Sequence, residues 1–131
     1  MENNENCCLA KILKVIDILQ KESFQECFPE GCDRPFLGSK DCTIFNTRPI
    51  NLYTRTGNLF RVNYFVNNTL RSSSTFRVEN VKDCCATLRI LQPTSENENG
   101  TVAFSSTNEF VTVNLECFCV LKCLDDITME I

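Results

Sequence analysis

The stretch VTVNLECFCVLKCL, residues 111–124, decides how the chain folds. Read as part of one strand over 109–124, it alternates cleanly as far as Glu116. Val111, Val113 and Leu115 are apolar, while Thr112, Asn114 and Glu116 are polar. A strand turns successive side chains to opposite faces, so this run has a buried side and a wet side. From 117 to 121 both sides turn apolar, as in a strand that passes under a second layer or enters an interface. In this register Cys117, Cys119 and Cys123 share the face of Val113, Leu115 and Leu121. Three thiols on one face admit three explanations: a metal, a catalytic nucleophile or covalent cross-links.

Upstream the strand signals continue. INLYTR (50–55) and LFRVNYFV (59–66) flank Thr56-Gly57-Asn58, and Gly57-Asn58 suits a two-residue hairpin turn. That register sets Tyr53 opposite Val62 and Arg55 opposite Phe60. Further strands are expected at 75–81, 84–91 and 101–105, with NNTLRSSS (67–74) and QPTSENENG (92–100) as polar connections. Short strands at this spacing behind one helix define a mainly β class, an antiparallel β-sandwich with one N-terminal amphipathic helix.

That helix spans 7–22. Cys8, Ile12, Val15, Ile16 and Leu19 recur at helical spacing, with Lys11, Lys14 and Gln20 nearer the other side. Leu9, Leu13 and Ile18 widen the apolar face beyond what one packing surface requires. Such a helix either lies in a groove or is shared with a neighbouring chain. Residues 24–43 carry two prolines and two glycines and read as loop. The expected plan is one domain over 1–131: a mobile head (1–6), the helix, the loop-rich segment, a sandwich (44–124) and a tail (125–131).

A chain of 131 residues is long enough to bury a core without staples. It nevertheless holds 10 cysteines, close to the density of a disulfide scaffold. The start, MENNENCCLAKILKVIDILQ, has an acidic head and charges at Lys11, Lys14 and Asp17, unlike a secretion signal. No run is long enough for a membrane span. The expected site of synthesis is therefore a reducing cytosol, where cysteines usually serve metals or catalysis. A net charge of −4 with no basic stripe disfavours nucleic acid.

Histidine is absent, which removes the commonest general base and metal ligand together. Zinc would need a cysteine-only or cysteine–carboxylate set, and the spacings fit paired knuckles poorly. C-x-C and C-x₃-C overlap in one apolar strand at 117–123, Cys27-x₄-Cys32 is slightly wide, and no C-x-x-C occurs. A cysteine nucleophile needs an acidifying neighbour, and Cys7 and Cys8 sit beside Glu2 and Glu5 instead. We expect no catalytic residue, no metal and no cofactor. Cross-linking fits better: Cys84 and Cys85 are adjacent, so in a strand they face opposite ways and one partner strand cannot serve both. A cysteine-only metal or redox module is the alternative.

Five blocks carry a resemblance: CDRPFLG (32–38), NTRPINLYTRTG (46–57), FRVE (76–79), CATLRIL (85–91) and VTVNLECFCVLKCL (111–124). In this order they resemble the CotY/CotZ spore-coat and ExsY exosporium proteins of endospore-forming bacteria, over roughly residues 7 to 124. The resemblance implies a structural protein of the spore surface that self-assembles into rings tiling as hexagonal sheets, joined by disulfides and accompanied by other coat proteins. It also implies synthesis in the mother cell, which needs no signal peptide. Among the thiols, Cys7, Cys8, Cys84 and Cys123 are the expected links between molecules. Cys27 and Cys32 bracket a Pro-Gly turn and are the expected local pair. Cys42, Cys85, Cys117 and Cys119 are left buried or undecided, with Cys85 and Cys119 readable as small core hydrophobes.

Overall fold

The computed structural model describes residues 7–22, 46–96 and 102–129. Helix α1 (Cys8–Glu22) precedes seven strands: β1 (Ile50–Thr54), β2 (Val62–Val66), β3 (Thr69–Ser73), β4 (Thr75–Lys82), β5 (Cys85–Glu96), β6 (Val102–Asn114) and β7 (Phe118–Cys123). A five-stranded sheet runs in the order β6-β5-β4-β1-β7, and β2 and β3 form a separate two-stranded sheet. All pairings are antiparallel. The chain is the mainly β sandwich with one N-terminal helix that its patterning predicts.

The expected strand over 109–124 is in fact two. Residues 115–117 form a short 3-10 turn, capped by the Asn114 side chain, which accepts from the Glu116 amide at 3.0 Å. Asparagine competes for backbone donors in this way and interrupts a ladder. The turn carries the chain from β6, one edge of the sheet, to β7, the other. Four residues reach about 14 Å at most, whereas the edges of a flat five-stranded sheet lie about 19 Å apart. The sheet therefore curls until its two edges approach. Consistent with this, β1 meets β4 at one residue pair, Ile50 opposite Phe76.

Its apolar face encloses the core. Ile50, Leu52, Phe76, Val78, Leu88 and Ile90 are all fully buried. Phe60, itself half-buried, packs against this core with ring centroids 5.7 Å from Phe76 and 5.1 Å from Phe118.

The chain does turn at Gly57, with φ of +90° at the glycine, but through residues 55–57 closed by hydrogen bonds between Thr54 and Asn58 rather than through a two-residue Gly57-Asn58 loop. The strands after it do not pair as predicted. Tyr53 bridges Leu59 rather than Val62. The chain then diverges, and β2 pairs with β3 through a turn at Asn67 and Asn68, both at positive φ. Asparagine tolerates that conformation. β3 occupies what the sequence presents as a polar linker, because four of its five residues are exposed and leave no alternation to read.

Beyond Ile50 and Phe76 the same register would set Arg48 opposite Val78. There the Gln20 side-chain amide stands between the two. Its Oε1 accepts from the Arg48 amide at 3.0 Å and its Nε2 donates to the Val78 carbonyl at 2.8 Å. Helix α1 thus replaces a missing rung of the ladder. This is why Gln20, assigned by spacing to the polar side, is buried together with Ala10, Leu13, Ile16 and Asp17. Arg77, also buried, is matched by Glu79, Thr47 and the Asn46 carbonyl, as a buried charge must be. Asn46 in turn exchanges two hydrogen bonds with Met129, which docks the expected tail.

Candidate functional site

The thiols are the groups on which any chemistry of this chain would rest, and the fold sorts them. Cys7 is 4% exposed and forms a disulfide with Cys84, with Cα atoms 5.8 Å apart and a sequence separation of 77. The bridge ties the start of α1 to the turn between β4 and β5. Cys7 and Cys84, both expected as links between molecules, bond each other within the chain in this structure. The mate of each does face outward: Cys8 and Cys85 are free and exposed. Since each adjoins a bridged residue, their Cα atoms lie within about 13 Å of one another. Adjacent cysteines thus divide the work, one inward and one outward.

Cys117, Cys119 and Cys123 do not share a face. Cys117 lies in the 3-10 turn and is exposed. Between β1 and β7 the register passes from Tyr53 opposite Val120 to Thr54 opposite Phe118, so Cys119 is the extra residue of a bulge. A bulge reverses the alternation beyond it. Phe118 consequently turns into the core and Cys119 turns out, its Sγ 3.2 Å from the Thr54 carbonyl. Cys85 and Cys119 are therefore exposed, not the small core hydrophobes that a regular strand would make them. Cys123 keeps the core-side register opposite Ile50 and is half-buried. The expected Cys27–Cys32 pair and Cys42 lie outside the described residues.

Cys123 opens onto a groove of about 540 Å³ between α1 and the chain around Arg48, with Ile12, Val15 and Leu19 along one wall. At its mouth Arg48 Nη1 is 3.0 Å from Asp126 Oδ1. Hydrogen bonding to Asp126 first, and to the Cys123 thiol second, raises the Arg48 pKa above its already high usual value, so its charge is permanent.

These outward apolar positions were missed by the sequence reading, which placed Ile12, Val15 and Leu19 on the packing face. They are 46%, 55% and 62% exposed. The signal was present in the excess width of the helix's apolar face. Among the described residues no three Cys, Asp or Glu side chains could together hold a metal ion, and no helix is long and apolar enough to cross a membrane.

A family model described as Spore coat protein Z matches residues 1–126. Spore coat protein Z of Bacillus subtilis (strain 168) is 27% identical over 140 residues, which cover 95% of this chain and 93% of that protein. No solved structure matches the chain.

Proposed function

This chain belongs to the spore coat protein Z family, and from that premise we propose that it is a structural subunit of the spore surface which assembles with copies of itself into a sheet and is then locked by disulfides between molecules. The observation that carries the reading is the exposure of four free thiols, Cys8, Cys85, Cys117 and Cys119. Free cysteine is among the most buried of residue types, so exposed thiols in a domain that already has a core call for a role outside it. Cys8 and Cys123 are the proposed links retained from the sequence, and Cys85, Cys117 and Cys119 join them on exposure. Sheet geometry follows the family's hexagonal pattern, with other coat proteins as neighbours.

Shape assembles the sheet first and disulfides lock it afterwards, because a bond forms after two Cα atoms have come within about 7 Å. The test uses the full chain, concentrated under reducing and then oxidising conditions. Negative-stain images should show ordered arrays in both, and non-reducing peptide mass spectrometry should find intermolecular bridges in the oxidised arrays. Monomers under both conditions would refute assembly. Arrays whose thiols all remain free or pair within one chain would refute the lock.

A further inference from the structure

The Cys7–Cys84 bridge is set among thiols that the fold leaves unused. The register places Lys82 opposite Cys85, so Asp83 and Cys84 are the two residues of a tight turn between β4 and β5. Asp83 holds φ of +55° there, and the Cys84 carbonyl accepts from the Leu115 amide at 2.8 Å. The turn is thus pinned by its backbone, independently of the bridge. Cys84 is half-buried in it, whereas Cys7 is buried. Cys8 and Cys85 are free and exposed on either side of the bond, and Cys117, two residues beyond Leu115, is free and exposed as well. Chain connectivity keeps the Cα atoms of all three within about 14 Å of that of Cys84.

Neither flanking thiol is placed to open its own bridge. A bond between Cys84 and Cys85 would close a small ring around one peptide, which a planar trans peptide resists. Cys8 faces solvent from the first residue of α1, while Cys7 beside it faces the core. A thiol from another molecule is under neither constraint.

We propose that the Cys7–Cys84 bridge is a thiol–disulfide exchange site, which opens to a thiolate of a second copy and converts a bond within one chain into a bond between two. The incoming thiolate attacks Sγ of Cys84, the more exposed of the two bridged residues. A new S–S bond joins the chains as the Cys7–Cys84 bond breaks. The electron pair of the broken bond leaves with Cys7, whose thiolate takes a proton from solvent. The attacking sulfur is oxidised and the Cys7 sulfur reduced, so the step needs no external oxidant and leaves the number of free thiols unchanged. The fold tolerates the opening, because Gln20 fastens the far end of α1 to Arg48 and Val78, and Leu13 and Ile16 hold its middle in the core. The inference rests on the disulfide lock proposed above and names the bond that supplies it.

Two measurements test it, both on full-length chain that carries the bridge with its exposed thiols reduced, in mildly alkaline buffer free of oxygen and metal ions. In the first, dispersed protein receives reduced glutathione as a probe thiol and is quenched in acid. Peptide mass spectrometry should find glutathione on Cys84 and a free Cys7. Glutathione on Cys7 instead overturns the inference, as does a bridge that stays intact when folded but reacts when the chain is unfolded. This measurement needs neither self-assembly nor a variant.

In the second, the chain is concentrated with no added thiol or oxidant. Covalent multimers should accumulate with Cys84 in intermolecular peptides while the titre of free thiols stays constant. A Cys7→Ser with Cys84→Ser variant should form almost none, yet should link once the oxidant diamide is added. Multimers that appear in the variant as fast as in the unmutated chain overturn the inference. Links in the unmutated chain that form only with oxidant, as the thiol titre falls, refute exchange and leave the lock standing. No links under either condition remove the lock, and exchange between copies falls with it.

Discussion

Helix α1 and the β2–β3 hairpin each turn one apolar face to the core and another to solvent, and the two kinds of face are built differently. The inner face of α1 combines Ala10, Leu13 and Ile16 with Gln20, whose amide joins Arg48 to Val78. The inner face of the hairpin places Tyr64 and Ser73 against the core, with Ser73 Oγ donating to the Leu91 carbonyl. The outer faces, Ile12, Val15 and Leu19 on the helix and Phe65 and Leu70 on the hairpin, are as apolar, and the polar contacts beside them, Glu109 accepting from the Phe65 amide and Arg61 donating to Ser72, are exposed. Inner faces mix apolar bulk with polar groups that have one correct partner, and so fix a geometry. Outer faces offer bulk with solvent-exposed polar contacts, which water can replace, and so leave the geometry to the shape of what arrives.

The sharpest way to break this contrast is to empty the inner side. Phe76 is fully buried against Phe60, so Phe76→Ala should destabilise the fold by about 3–5 kcal/mol. Urea unfolding of dispersed, reduced protein measures it. A loss no larger than that of an outer-face substitution would mean that the core is misassigned.

Next comes the clasp. Cys7 and Cys84 close a long loop, and removing both (Cys7→Ser with Cys84→Ser) should cost about 2–4 kcal/mol, as expected when a disulfide's constraint on the unfolded chain is lost. Reducing agent should lower the stability of the unmutated protein by a similar amount and leave the variant unchanged. Equal sensitivity of both to reductant would show that another disulfide carries the effect.

The contrast also explains what the sequence could and could not reveal. β4 and β5 were readable because Phe76, Val78, Leu88 and Ile90 lie where strand alternation puts a core face. The helix was readable as an element but its orientation was not, because Ile12 and Val15 match Leu13 and Ile16 in hydrophobicity. What turned it was Gln20, whose partners lie 28 and 58 residues away and leave no local mark. The thiols of 117–123 were misplaced for a related reason. The Asn114 cap and the bulge at Cys119 each change the parity of the strand, and parity is all that a pattern of alternation can report.

Gln20 gives a smaller, more pointed effect. Gln20→Met keeps the bulk but removes both hydrogen bonds, leaving the Arg48 amide and the Val78 carbonyl short of partners. The expected loss is about 1–3 kcal/mol. Hydrogen exchange should locate it, with faster exchange at Arg48 than in β5. A neutral substitution would mean that water satisfies both groups and that the inner face of α1 holds by bulk alone.

The smallest expected effect on folding belongs to the outer face, and it is the most informative. Leu19 is 62% exposed, so in dispersed protein Leu19→Ala removes few contacts. A surface substitution of this kind changes stability by about 0.5 kcal/mol or less in either direction. Alanine is also the better helix former, which offsets part of any loss. Assembly under reducing conditions should respond differently, because the truncated side chain is a wall of the groove: the concentration at which larger species appear should rise several-fold. The same substitution at Leu13, on the inner face, should destabilise the fold by about 2–5 kcal/mol. If Leu19→Ala lowers folding stability by as much as Leu13→Ala does, the outer face is covered within the chain itself. If it leaves both folding and assembly unchanged, the exposed row on α1 has no part in building the sheet.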